Sequence, residues 1–215
     1  MNLRNLQQIE KGNNAYIICT GGTMLKCKNR VFPIRDPKAF IIGINNMSAI
    51  CVPDYHLWTN NSRLKQFGKT MWDIPVKMFG KNIKKSVINS VHKGGYFTID
   101  YTDKKDEPIS YKNGKIRGHY RTAGCLSIMI AHIMGAENIY IAGMDGYTYI
   151  DEENVEGQHF YGEGHTDGTS LSVYQGKDKK VYDALRSIKK YGINFSIITP
   201  TVFKEFYNET FHINS

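Results

Sequence analysis

The sequence has no C-x-x-C pair and no Cys/His cluster with zinc-site spacing, which removes structural zinc modules from consideration. Its four cysteines are Cys19, Cys27, Cys51 and Cys125; Cys19, Cys51 and Cys125 have apolar neighbours and read as small core residues. No apolar run approaches the ~20 residues that span a bilayer. The opening stretch MNLRNLQQIEKGNN carries no apolar signal-peptide core. These absences predict a cytoplasmic protein without a transmembrane segment, with contact at a membrane surface left open. Also missing are G-x-G-x-x-G, the P-loop pattern G-x-x-x-x-G-K-[ST] and a metal-binding D-x-D, so neither a dinucleotide fingerprint nor a Walker-type phosphate loop is present. Repeats, low-complexity tracts and linkers are absent as well. One domain over residues 1–215 is expected.

Hydrophobic residues make up 41% of the chain and charged residues 22%, enough apolar content to bury a core. Lys and Arg number 28 against 20 Asp and Glu, a formal net charge of +8. A positive surface attracts phosphates of any kind without choosing among them. The basic residues fall in scattered pairs such as Lys84-Lys85, Lys104-Lys105, Lys179-Lys180 and Lys189-Lys190, the pattern of a solvated face. With no reader motif in the sequence, nucleic acid is not the expected partner.

Seven β-branched and aromatic runs separated by turn residues predict strands: 15–20, 39–44, 55–59, 74–79, 96–101, 138–144 and 193–199. Several are apolar almost throughout, as in parallel strands covered on both faces. The stretch TAGCLSIMIAHIMG from Thr122 to Gly135 has apolar residues all round and predicts a buried helix, with Thr122 as N-cap and Gly135 just past its end. Val181, Leu185 and Ile188 form the stripe of a second, amphipathic helix that Gly192 ends. Asn113-Gly114 marks a hairpin leaving the sheet. Strand and helix alternation in the second half predicts an α/β fold: a Rossmann-like, mostly parallel sheet with helices on both faces. A lid loop over about 146–170 is expected after the sixth strand.

In open α/β sheets ligands bind beyond the carboxyl ends of the strands. The first strand is followed by Thr20-Gly21-Gly22-Thr23, where glycines leave room for backbone N–H groups to face an anion. The second is followed by Asn45-Asn46, the third by Asn60-Asn61 with Arg63 near, and the sixth by Asp145-Gly146-Tyr147. The long segment after Met144 holds Tyr147, Tyr149, His159, Tyr161 and His165. Phenols can donate to phosphate oxygens, and histidine can take a proton near neutral pH. Asp151, Glu152, Glu153 and Glu156 read either as a cation-recruiting group or as a solvated acidic turn.

The order of TGGTML, the paired asparagines, RTAGCLSIMIAHIMGAENIYIAGMDGY and the lid text HFYGEGH resembles the bacterial family-42 sialyltransferases. It also resembles related domains that include archaeal hydroxymethylpterin pyrophosphokinases and domains from surface-polysaccharide gene sets. The resemblance runs through most of the chain in short pieces. It implies a metal-independent transferase of polysaccharide biosynthesis, moving a sugar, sialic-acid-like or other, from a nucleotide donor to a glycan or small-molecule acceptor without a cofactor. Gly21, Gly22 and Thr23 would then lie near the nucleotide phosphate or sugar, and Asn45 and Asn60, with Asn46 and Asn61 as rivals, would hold the donor. Arg63 and Asp145 stand beside these positions, and Thr122, Ala123 and Gly124 form the turn that opens the buried helix. Tyr147 and Tyr149 would meet phosphate, Tyr161 is a further nucleotide- or donor-binding candidate, and His165, or else His159, would be the base. Ala123 replaces the family's serine, Thr23-Met24 its Pro-Ser, and the lid is longer between Gly162 and His165, so the donor sugar stays open. An ATP-dependent pyrophosphoryl or phosphoryl transferase using magnesium, with Asp145 and the acidic turn as ligands, is the alternative; a non-catalytic nucleotide-binding protein is another.

Overall fold

A computed structural model describes residues 1–25, 27, 36–150, 159 and 170–211. Nine strands form one sheet: β1 (Asn14–Ile18), β2 (Ala39–Ile44), β3 (Tyr55–Trp58), β4 (Val76–Gly80), β5 (Phe97–Tyr101), β6 (Ser110–Lys112), β7 (Lys115–Arg117), β8 (Asn138–Ala142) and β9 (Ser196–Ile197). Their order is β6-β7-β5-β4-β3-β2-β1-β8-β9, and every adjacent pair is parallel except β6 with β7. The helices are α1 (Asn61–Phe67), α2 (Lys85–Val91), α3 (Ala123–Met134) and α4 (Leu171–Lys190). This is the expected α/β architecture.

Strand residues alternate between faces, yet both faces are buried. Ala15 and Ile17 of β1 join Ile42, Leu57 and the apolar residues of α3 and α4 in one cluster. Tyr16 and Ile18, pointing the other way, pack with Met24, Met47 and Ala142. Farther along that second face, Trp58 and Phe79 meet Leu64 of α1 and Ile88 of α2. The two-sided cover explains why the central strands are apolar at consecutive positions. In α3 every residue but His132 is buried. Its Thr122 cap accepts a hydrogen bond from the Cys125 N–H at 3.2 Å, and Gly135 closes it at φ 95°. Helix α4 buries Val181, Leu185 and Ile188 as the stripe requires. Asn113 (φ 55°) and Gly114 (φ 78°) supply the two left-handed residues of the β6–β7 turn.

Three expectations change. The fourth strand starts at Val76 rather than Ile74, and Ile74 is 83% exposed. Pro75 has no N–H for a ladder. The amine of Lys77, itself 2% exposed, donates to the carbonyls of Trp72 (2.5 Å), Asp73 (3.1 Å) and Pro75 (2.6 Å), folding that stretch into a turn. The last strand shrinks to Ser196–Ile197, which pairs with β8 on one side and through a single bridge from Ile197 to Tyr207 on the other. Cys51 is half-buried, whereas Cys19, Cys27 and Cys125 are buried. Helices α1 and α2 are additions; seven residues each give too short a periodic signal.

His56 of β3 is fully buried, and its Nε2 donates to the Asn45 carbonyl at 2.7 Å. Burial lowers its pKa from 6.5 to about 4, with the Lys77 charge adding to the drop. The unfolded chain therefore binds a proton below pH 6.5 that the folded chain refuses until about pH 4. The stabilisation is complete above pH 6.5 and is lost as pH falls toward 4, up to about 3 kcal/mol. Urea denaturation between pH 7.5 and 4.5 should show stability falling through this window. The fall should be shallower in His56→Gln, which keeps a donor but does not titrate.

Candidate functional site

After β1 the chain turns to β2 on one side, while β8 enters on the other side of β1. The loops leaving β1 and β8 therefore diverge, and the gap between them is the topological switch point of the sheet. A cleft of about 410 Å³ opens there. Thr20 and Gly21 reach it from β1, Asn45 from β2, and Asn60 with Arg63 from the start of α1. Thr122, Ala123 and Gly124 reach it from the start of α3, and Asp145 and Tyr147 from the end of β8. His159 lies on the same cleft, with Nδ1 3.1 Å from the Thr20 hydroxyl and 3.3 Å from its carbonyl.

Among the described residues, the candidates Gly22, Thr23 and Tyr149 do not line it. Gly22 opens the helical turn that begins at Thr23. Thr23 is buried and faces Asp145: its N–H donates to one carboxylate oxygen at 2.8 Å and its hydroxyl to the other at 2.5 Å. Gly21 presses against the same carboxylate, where a Cβ would collide with it. The close approach expected at the diglycine is thus made by the protein's own Asp145. Tyr149 is half-buried outside the cleft lining. The rival Asn61 ties α1 to the β4–α2 loop, donating to the Asn82 carbonyl and accepting from the Lys84 N–H. Asn46 is also off the lining. Tyr161, His165 and the acidic group 151–156 lie outside the described residues.

The sequence reading did not single out Arg121 or Lys177, which also line the cleft. Arg121 sits immediately before the Thr122 cap at φ 59°, a left-handed conformation that costs a non-glycine residue about 1 kcal/mol or more. Asp103 holds it there, its Oδ1 accepting from the N–H groups of Tyr120 (2.9 Å) and Arg121 (3.3 Å). Asn45 also has positive φ, 48°, pinned from beneath by His56. Arg121 Nε and Asn45 Oδ1 are buried without hydrogen-bond partners among the described residues. A donor and an acceptor at the cleft thus await pairing. The sequence clue to Arg121 was a cation placed next to a helix N-cap.

Among the described residues, Arg63, Arg121 and Lys177 outnumber the one lining carboxylate, Asp145, so the cleft carries net positive charge. The amino end of α3 adds partial positive charge. Tyr147 is oriented by Asp178 on α4, whose carboxylate accepts from the Tyr147 N–H (2.6 Å), the Thr148 N–H (2.8 Å) and the Thr148 hydroxyl (2.6 Å). Its ring stacks on Tyr174 with centroids 6.5 Å apart, and the Lys177 amine lies 5.0 Å and 4.9 Å from the two ring centres. Burial pushes the Tyr147 phenol pKa up despite Arg121 nearby, so the group remains an O–H donor at neutral pH.

No protein-family model matches the chain, and no curated protein matches it. Solved structures do. The sialyltransferase CstII from Campylobacter jejuni, in complex with the substrate analogue cytidine-5'-monophosphate, has a TM-score of 0.53 at 11% sequence identity, over 95% of this chain and 88% of that one. The monofunctional alpha-2,3-sialyltransferase Cst-I from the same organism has a TM-score of 0.51 at 12% identity, over 95% and 82%. The likeness is one of fold, and it extends along nearly the whole chain.

Asp178→Ala removes three hydrogen bonds to a charged acceptor and is expected to lower stability by about 2–3 kcal/mol. The same variant should expose the 146–148 loop to faster amide exchange. Urea denaturation and hydrogen exchange read the two effects separately.

Proposed function

We propose that this chain is a glycosyltransferase that takes a sugar from a nucleotide donor, with the nucleotide phosphate in the switch-point cleft. The observation that carries this reading is the convergence of three cationic side chains, the amino end of α3, the Tyr147 phenol and His159 on one cleft. Such a site fits a reaction in which negative charge builds on a departing phosphate. The acceptor hydroxyl oxygen bonds to the anomeric carbon as the bond from that carbon to the phosphate oxygen breaks. The leaving electron pair stays on the phosphate, where Arg121 and the Tyr147 O–H donate to it. The acceptor proton passes to a histidine. In His159, an Nδ1–H donated to the Thr20 carbonyl leaves Nε2 as the accepting nitrogen. His165 is the other candidate. The family-42 resemblance, the fold likeness and the cytidine-5'-monophosphate named for CstII make that nucleotide the first ligand to test.

The ATP-dependent phosphoryl-transfer alternative would use Asp145, whose two oxygens accept from Thr23, as a magnesium ligand, whereas the sugar-transfer reading needs no metal. Binding and turnover are accordingly expected to survive EDTA, and their loss would favour that alternative.

Cytidine-5'-monophosphate should raise the melting temperature, and calorimetry should show Arg121→Ala weakening it by about 10- to 100-fold, the worth of a charge-assisted hydrogen bond. No nucleotide or nucleotide-sugar shifting the melting temperature would defeat the proposal. His159→Ala and His165→Ala separate the bases. One of them should cut turnover by about 100-fold or more with nucleotide affinity within a few-fold. Tight nucleotide binding with no turnover against any acceptor would mark a binding protein instead.

A further inference from the structure

A second concavity of about 1120 Å³, more than twice the volume of the cleft, adjoins it along α4. Arg121 lines both. One wall is the loop after β5, from Asp103 to Ile109; the other is the face of α4 from Gly176 to Tyr191. Gly176 to Lys190 spans about 20 Å of helix at ~1.5 Å per residue. A groove of that length suits a chain of sugars better than a single one.

Among the described residues, four acidic residues line this groove, Asp103, Asp106, Glu107 and Asp183, and three of them have partners nearby. Asp103 accepts from His119 and from two backbone N–H groups, Glu107 from Thr102 and Arg117, and Asp183 lies 3.8 Å from Lys179. Lys179, Lys180 and Lys190 stand along the α4 wall and Lys105 on the other. Four carboxylates and five cations among the described residues line the groove, and the positive excess falls on the α4 wall, where Lys179, Lys180 and Lys190 face the single carboxylate Asp183. Gly176 is a separate sign. A glycine inside a 20-residue helix weakens it relative to alanine, yet a Cβ there would meet nothing within 4 Å. No packing among the described residues requires it. Its bare backbone instead leaves space beside Lys177, at the junction of groove and cleft.

We infer that this groove is the acceptor channel of the enzyme and takes an acidic oligosaccharide, its reacting end delivered past Gly176 and Arg121 into the cleft. The inference rests on the transferase reading above. It is an extended subsite, so affinity accumulates over several sugars, and the carboxylates or phosphates of the chain are read by the α4 lysines.

The test is direct binding to the whole chain without nucleotide, by fluorescence anisotropy. The probe is a labelled oligogalacturonate of about six sugars; an uncharged galactose oligomer and a single-stranded oligonucleotide of equal charge are the other arms. The oligogalacturonate is expected to bind about tenfold tighter than the neutral oligomer and to weaken as salt rises. K179E/K180E/K190E should lose about tenfold in this affinity, with cytidine-5'-monophosphate affinity within about twofold. Arg121→Ala should weaken both ligands, and Gly176→Ala should raise the melting temperature while lowering oligogalacturonate affinity. Unchanged binding by the triple lysine variant, equal binding of the neutral oligomer, or tighter binding of the oligonucleotide would each overturn the inference. Loss of the groove result with nucleotide binding intact sinks the channel alone, whereas absent nucleotide binding sinks the transferase reading and, with it, the acceptor role.

Discussion

The site depends first on the buried Asp145 carboxylate. Thr23, in the segment after β1, gives it two hydrogen bonds, and the backbone of Gly21 lies against it. Hydrogen bonds to a charged group are worth about 1.5–3 kcal/mol each, enough to hold two diverging loops together where the sheet topology drives them apart. Backbone bonds from Cys19 to Ala142 and from Gly21 to Gly143 continue the seam below. The clamp and these backbone bonds together fix the separation of the loop after β8 from the segment after β1.

A second tier of buried polar groups fixes the far side. The hydroxyl of Thr199 accepts from the Gly143 N–H at 2.8 Å, and Thr201 donates to the Met144 carbonyl at 2.7 Å. Asp178 then orients the next turn and with it Tyr147. Each of these groups is spent inside the protein, so the cleft is rigid on the side where phosphate would develop charge. Donors aimed in advance stabilise such charge without reorganising during the reaction. Arg121 and Asn45 hold left-handed backbone conformations at the same place, kept there by Asp103 and His56. Strain of this kind persists only where surrounding contacts over-determine it.

Much of the architecture was legible in the residues. Apolar runs marked every central strand, the uncharged stretch from Thr122 to Gly135 marked α3, and Asn113-Gly114 marked the hairpin. The failures have physical causes. Ile74 looked like strand because the pattern could not show that Lys77 would turn inward and gather three carbonyls. Helices α1 and α2 were too short to repeat their period. At the site, Gly21, Asn45, Asn60 and Tyr147 could be gathered from strand-end positions alone, and Thr122 from the family resemblance. The pairing of Thr23 with Asp145 was not legible because the two lie 122 positions apart in sequence.

The sequence by itself determined the alternation of elements, their buried faces and the edge of the sheet at which polar residues collect, because periodicity and capping are local properties of a chain. The tertiary structure alone decided which of those residues share a cleft and which are consumed as struts. It brought Arg121 and Lys177 to the cleft wall, paired the cleft-lining Asp145 with Thr23, and joined a lysine-lined groove to the site through Arg121. Such roles follow from strand order and from pairings between distant segments, which no local pattern encodes.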